Sequence, residues 1–202
     1  MKPALRFYTK PDWGHGANHL NNPYYTFANF LSDSQVESIV EWAQTQPLSK
    51  GEVMDDKGSR DVDPMRKSKI CWLPLRPFEW LYDRIFESTT ATNFWKYDIQ
   101  GFSELIQFSE YDGRDTPSYY QTHTDVGPGY NFRKITMVIN LSDPSDYEGG
   151  DVELQGVGVI PRDVLPKGGA IIFPSFLHHQ VLPVTSGIRR SLASWISGPK
   201  LK

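Results

Sequence analysis

From residue 101 onward the chain is cut into short runs by turn residues, and this half constrains the fold most. The runs are GFSELIQFSEY, PSYYQTHTD, KITMVINL, GGDVEL, GAIIFP, HHQVLPV and RRSLASWI. Between them stand Asp112–Gly113, Gly127–Pro128–Gly129, Asp143–Pro144, Gly149–Gly150 and Gly168–Gly169. Glycine and asparagine-like residues admit the backbone angles of tight turns, and proline fixes its own, so each cluster ends a run before a helix can form. A string of short strands must hide its edges, and an antiparallel sandwich or barrel does so. The expected class is α+β, mainly β: a jelly roll braced by two helices that precede it.

Those helices carry their own signals. Ser32 and Gln35 form a capping-box pair, Leu31 and Val36 can staple, and Val36, Ile39, Val40 and Ala43 recur at helical spacing until Pro47. A second helix is expected to start at Pro77, with Phe78, Leu81, Tyr82, Ile85 and Phe86 on one face. Residues 1–25, rich in Pro, Gly and Asn, read as an irregular arm. The segment 50–69 carries six basic and five acidic side chains and few large apolar ones. It reads as a solvated loop beside a rigid scaffold, placed to contact a substrate.

With 202 residues, one domain spanning 1–202 is expected, its jelly-roll core at about 101–198. The formal charge of −3 gives no global field for a nucleic-acid backbone. The single cysteine, Cys71, sits in the apolar run KICWL and reads as a small buried hydrophobe. The N-terminus shows no signal-peptide core and no run is long enough to span a membrane, so a cytoplasmic location is the expectation.

Chemistry enters at YYQTHTDVGPGY, residues 119–130. In an extended chain His123 and Asp125 point to the same side and can converge on one ion. Two ligands are an incomplete site. His15 and His19 fall in the irregular arm and read as surface residues, which leaves the adjacent His178 and His179. Strand alternation puts His179, Val181 and Pro183 on one face and His178 on the other, so one of the pair can face the core. Two histidines and a carboxylate form the facial triad of non-haem iron(II), with positions left open for oxygen and a co-substrate. Arg189 follows His179 by an even step and can share its face if the turn at Ser186–Gly187 preserves register. A buried arginine in a barrel needs an anion, and its planar fork suits a carboxylate. Ser191, Ala193 and Trp195 lie on that same face and suit a pocket wall.

YYQTHTD, RKITMVINLSDPSDYEGGDVEL and FPSFLHHQVLPVTSGIRRSLASWI together resemble the Fe(II)/2-oxoglutarate-dependent dioxygenases of the prolyl-4-hydroxylase-like branch, over roughly residues 68 to 198. The resemblance implies a double-stranded β-helix with iron held by His123, Asp125 and His179. The family's x-Val-x-Pro-Val-Thr after its ligand histidine selects His179 over His178. Arg189 would bind the distal carboxylate of 2-oxoglutarate, with further co-substrate contacts from Tyr111, Thr136, Asn140 and Trp195. Asn140 stands where some relatives carry tyrosine. Tyr120 either lines the substrate entrance or packs in the core. Fe(II), 2-oxoglutarate and O2 are implied, with ascorbate as an accessory reductant. The implied reaction couples decarboxylation of 2-oxoglutarate to succinate and CO2 with C–H hydroxylation, and Asp125 favours hydroxylation over halogenation. A proline-containing peptide or protein is the implied substrate. A hydroxylase of a free amino acid or other small molecule, a metal-binding jelly roll without 2-oxoglutarate, and a non-catalytic binding module are the competing readings.

Overall fold

The computed structural model describes residues 23–51, 53–54, 60–61, 65–127 and 129–200. His15, His19 and most of the expected arm lie outside these. In chain order the elements begin with β1 (Tyr25–Phe27), α1 (Asp33–Gln44), β2 (Ser49–Lys50), β3 (Val53–Met54), β4 (Arg60–Asp61), β5 (Arg66–Lys67), β6 (Lys69–Leu73) and α2 (Leu75–Ala91). The β half follows with β7 (Gly101–Phe102), β8 (Ile106–Asp112), β9 (Ser118–His123), β10 (Arg133–Asn140), β11 (Tyr147–Gly149) and β12 (Val152–Leu154). It ends with β13 (Gly158–Val159), β14 (Ala170–Pro174) and β15 (His179–Ser197).

The larger face of the jelly roll runs in the order β1-β14-β10-β15-β8-β6-β2. The smaller face pairs β9 with β5 and β15, and β15 in turn with β11 and β12. One strand therefore serves both faces. Residues 179–187 of β15 belong to the small face and residues 188–197 to the large one. The expected two strands are a single 19-residue strand that changes sheets.

Irregularities make that crossing. The ladder with β9 shifts between His179 and Val181 and again between Val181 and Val184, and the ladder with β11 shifts once more. Alternation breaks in consequence: Pro183 is exposed where it was expected beside His179, and Val184 is buried instead. Gly187 takes φ 70°, and a Cβ there would overlap the carbonyl oxygen of Asp146. Gly187→Ala should therefore lose about 1–3 kcal/mol from backbone strain alone, before any clash is counted. Urea unfolding of the purified variant measures it; an unchanged midpoint would mean the crossing tolerates a side chain.

Both helices pack on the outer side of the large face. The capping box forms as expected: the Gln35 backbone N–H donates to Ser32 Oγ and the Ser32 N–H to Gln35 Oε1. Such a cap contributes about 1 kcal/mol to a helix. Val36, Ile39 and Ala43 of α1 and Phe78, Leu81, Tyr82 and Ile85 of α2 are buried in one cluster with Ile135, Met137 and Ile139 of β10. The second helix departs from expectation at its start. Arg76, Pro77 and Phe78 have non-helical angles, so Pro77 does not open a regular first turn. Cys71 is buried, and burial followed by nearby Glu110 pushes its thiol up to about 11, which suits a structural role.

The segment 50–69 is only partly described, but its far end corrects the solvated-loop expectation. Arg66 pairs with Tyr120 in the β5–β9 ladder and is buried.

Candidate metal and anion site

The inner face of β10 turns Thr136 and Val138 toward a cavity of ≈ 330 Å³, while Ile135, Met137 and Ile139 face the helices. The opposite wall is the small face, which supplies Tyr120, His123, Val152, His179 and Val181. His123 and His179 lie directly across the β9–β15 ladder from one another. Asp125 is reached two residues beyond the end of β9, where its N–H donates to the Ser175 carbonyl at 3.0 Å.

Among the described residues His123, Asp125 and His179 form one cluster, with one ligand atom of each within 4.8 Å of the others. His179 Nε2 lies 3.5 Å from Asp125 Oδ2, and His123 Nε2 lies 3.8 Å from Oδ1. The other ring nitrogens decide the tautomers. His123 Nδ1 is 2.8 Å from the Gln121 carbonyl and His179 Nδ1 is 2.9 Å from that of Leu177. A carbonyl only accepts, so each Nδ1 carries the hydrogen, and it is Nε2 of each ring that faces the carboxylate and can offer a lone pair to a metal. Burial and then the neighbouring His179 depress the His123 pKa to about 3. Burial alone would raise the Asp125 carboxyl; His179, His123, Arg133 and the Thr136 hydroxyl outweigh it and hold the group below its usual value. An ionised carboxylate and two imidazole Nε2 atoms thus converge on one point. That donor set asks for a divalent cation, and its carbonyl-held imidazoles are the outer support typical of metal ligands. His178 is exposed, which agrees with the choice of His179.

Arg189 is 2% exposed. Its Nη1 meets Ser191 Oγ at 3.3 Å, its Cζ stands 5.6 Å from the Tyr111 ring centroid, and no carboxylate of a described residue lies within 4 Å. A buried guanidinium without a counter-charge is costly, so this end of the site is prepared for an anion. The breaks in β15 leave Arg189 and His179 both facing inward, as the even spacing predicts. Arg190 points away and pairs with Glu110 at 3.0 Å. Tyr111, Ser191, Ala193 and Trp195 line the cavity as expected. Tyr120 lines it too, its ring stacked 3.6 Å from that of His123.

Two expected co-substrate contacts are corrected. Thr136 donates to Asp125 Oδ2 at 2.7 Å and meets Ser175 Oγ at 3.0 Å, so its hydroxyl is committed to the carboxylate ligand. Asn140 is buried away from the cavity. Its amide donates to the carbonyls of Ser142 and Leu165, and its oxygen accepts from the Ser142 N–H. It ties loops together and has no donor left for a ligand.

Sequence reasoning missed two arginines. Arg133 grips Glu104 in a double 2.6 Å fork and lies 3.9 Å above the rings of both Tyr130 and Trp195. Arg66 reaches Gln107 and Ser109 and lies 4.6 Å above the Tyr120 ring. Arg133 had a weak signal, since it opens a strand whose inner face leads into the site. Arg66 had none, because it sits among alternating charges that read as solvated.

Comparison with known proteins agrees with this geometry. The sequence model of the 2OG-Fe(II) oxygenase superfamily matches residues 106–197, from the first residue of β8 to the last of β15. A PKHD-type hydroxylase of Polaromonas sp. strain JS666 is 34% identical over 86 residues, covering 39% of this chain and 38% of that protein. The chain thus matches well under half the length of such curated relatives. A Pseudomonas putida prolyl-4-hydroxylase superposes with TM-score 0.68 at 18% identity, over 89% of this chain and 94% of its own. A Trichoplax adhaerens prolyl hydroxylase, in complex with a hypoxia inducible factor oxygen degradation domain peptide fragment, gives TM-score 0.70 at 20% identity, over 88% of this chain and 84% of its own.

Proposed function

We propose, from the premise that residues 106–197 form a 2OG-Fe(II) oxygenase domain of the prolyl-4-hydroxylase-like kind, that this chain is an Fe(II)- and 2-oxoglutarate-dependent hydroxylase of peptidyl proline. The observation that carries the reading is Arg189, a buried cation with no carboxylate of a described residue within 4 Å, set behind Ser191 and Tyr111 of the cavity that holds a two-histidine, one-carboxylate cluster. A metal-binding jelly roll of another chemistry leaves that charge unexplained, and a non-catalytic module leaves both features unexplained.

His123, Asp125 and His179 would hold the metal from one side and leave the cavity side open. Iron bound there supplies the oxidative chemistry that couples 2-oxoglutarate decarboxylation to substrate hydroxylation. Arg189 would take the distal carboxylate of 2-oxoglutarate in a bidentate fork, with Ser191 and Tyr111 beside it. Thr136 keeps the Asp125 carboxylate in one orientation. Val138, Val152, Val181 and Ala193 add an apolar portion to an otherwise polar wall. Arg133, fixed between Tyr130 and Trp195 by Glu104, gives a rigid rim for an incoming chain. The peptide held by the Trichoplax relative supports a peptide substrate.

The test begins without oxygen. Fe(II) and 2-oxoglutarate together should produce the visible charge-transfer band of a chelated oxo-acid, and air should then release succinate. Mass spectrometry of proline peptides would show an added oxygen. A protein that binds iron but gives no band and no succinate would refute the reading. Thr136→Val keeps the shape but removes the hydroxyl, and loss of such an outer partner should weaken iron binding by about 10–100-fold. Anaerobic Fe(II) titration measures this, and unchanged affinity would show that Asp125 needs no support.

A further inference from the structure

We propose that Arg66 is a second anion-binding arginine in this cavity, and that the substrate carries a carboxylate that reaches Arg66 when its target carbon faces the metal cluster. The inference rests on the oxygenase reading above and names a feature of its substrate.

Arg66 is 7% exposed and lines the cavity. Its partners are neutral: Nε donates to Ser68 Oγ at 2.8 Å, and Nη2 to Gln107 Oε1 at 2.7 Å and Ser109 Oγ at 3.2 Å. Nη1 has no acceptor among the described residues, and no carboxylate of theirs lies within 4 Å of the group. These hydrogen bonds aim the guanidinium, and no described residue cancels its charge.

Counted over the described residues, the charges of the site leave room for a second anion. Among the described residues the charged groups on the wall are Arg66, Arg133, Glu104 and Asp125, with Arg189 at the far end. Glu104 and Arg133 neutralise each other at 2.6 Å. Fe(II) and the 2-oxoglutarate dianion neutralise each other as well. Asp125 then stands against two arginines, and one positive charge remains in a partly desolvated space. A substrate with one carboxylate completes the balance; a neutral one leaves a buried cation unpaired.

Position separates the two arginines. In the β8–β15 ladder Arg189 lies opposite Tyr111, whereas Ser109 and Gln107 lie opposite Ser191 and Ala193, two and four residue pairs nearer Trp195. Arg66 bonds to those nearer rungs. It also stacks over Tyr120, whose ring lies against His123. Its free nitrogen is thus one ring away from the metal cluster, displaced from the far end where the co-substrate's distal carboxylate belongs. The carboxylate has two chemical sources: that of a free amino acid, or an acidic side chain beside proline in a peptide.

The test is a binding measurement on the full chain loaded with Fe(II) and 2-oxoglutarate under anaerobic conditions, following fluorescence of the cavity residues Trp72 and Trp195. The paired probes are L-proline against L-prolinamide, and N-acetyl-Pro-Asp-amide against N-acetyl-Pro-Asn-amide. In one of these pairs the wild type should favour the carboxylate by about ten- to a hundred-fold, the range of one charge-assisted contact. Arg66→Gln should bring that ratio near one, and Arg66→Lys should restore part of it, with 2-oxoglutarate affinity unchanged in both. A preference for L-proline identifies the amino-acid source; a preference for the Asp peptide identifies the peptide source. No preference in the wild type, a preference that survives in Arg66→Gln, or a tenfold loss of 2-oxoglutarate affinity in that variant would each overturn the assignment. Absence of the charge-transfer band in the wild type would instead strike the underlying oxygenase reading. Arg66→Lys guards against misfolding, because it keeps the charge and most of the volume.

Discussion

Arg189→Ala should raise the dissociation constant for 2-oxoglutarate by about two to three orders of magnitude. Removing one partner of a buried charge pair costs about 3–5 kcal/mol, and about 1.4 kcal/mol makes one decade. Arg189 is 2% exposed and so belongs with such buried groups. Iron affinity should hardly change, since no ligand atom touches the guanidinium. Arg189→Lys should recover only part of the loss, because an ammonium is a point charge without the fork. Arg190→Ala is the control: its side chain faces away and pairs with Glu110, so the co-substrate should not sense it. Anaerobic titration of 2-oxoglutarate into each iron-loaded variant, read from the charge-transfer band, reports all three constants. Wild-type affinity in the alanine variant would remove the co-substrate assignment.

The larger effect is expected at the metal cluster. Asp125→Ala, His123→Ala and His179→Ala should each abolish turnover, and His178→Ala should retain both iron and activity. Each cluster residue provides one of three donors, and two donors cannot fix a facial geometry with sites left open. Asp125→Ala should be the most severe for iron, because it removes the only negative charge of the set. His179→Ala leaves His123 and Asp125 without their partner across the ladder. Metal analysis of protein loaded without oxygen and then desalted gives the iron content directly. An iron-free His178→Ala beside an iron-bound His179→Ala would invert the assignment.

What could be read from sequence was what short-range pattern determines. The capping box at Ser32, the turn-divided strands and the His-x-Asp pair are local, and all are found where expected. Arg189 was also legible, but partly by compensation. Alternation breaks in β15 around Pro183 and Thr185, and the breaks leave inward facing restored at residue 189. Pro183 shows what happens between them: it was placed inside and is exposed. Long-range partners were not legible. Arg66 depends on Gln107 and Ser109, and Asn140 is drawn off by the carbonyl of Leu165. Thr136 lines the cavity as expected, and its bond to Asp125 was not legible, since Asp125 approaches it only after the chain has turned. Pattern fixes which face a side chain occupies; distant chain decides which of its neighbours it meets.

On the proposed reading, Arg189, with no counter-charge among the described residues, would tie the lifetime of the protein to its co-substrate. A ligand that binds only the folded chain stabilises it by RT ln(1 + [L]/Kd), about 2.7 kcal/mol at a hundredfold excess over Kd. Here the ligand also relieves a charge that the empty fold must bury unpaired. A cell short of 2-oxoglutarate would then hold a weaker protein as well as an idle one, with a larger unfolded fraction open to proteases. Supply of the co-substrate would set abundance together with rate, and the response of the pathway to starvation would be steeper than saturation of one site allows.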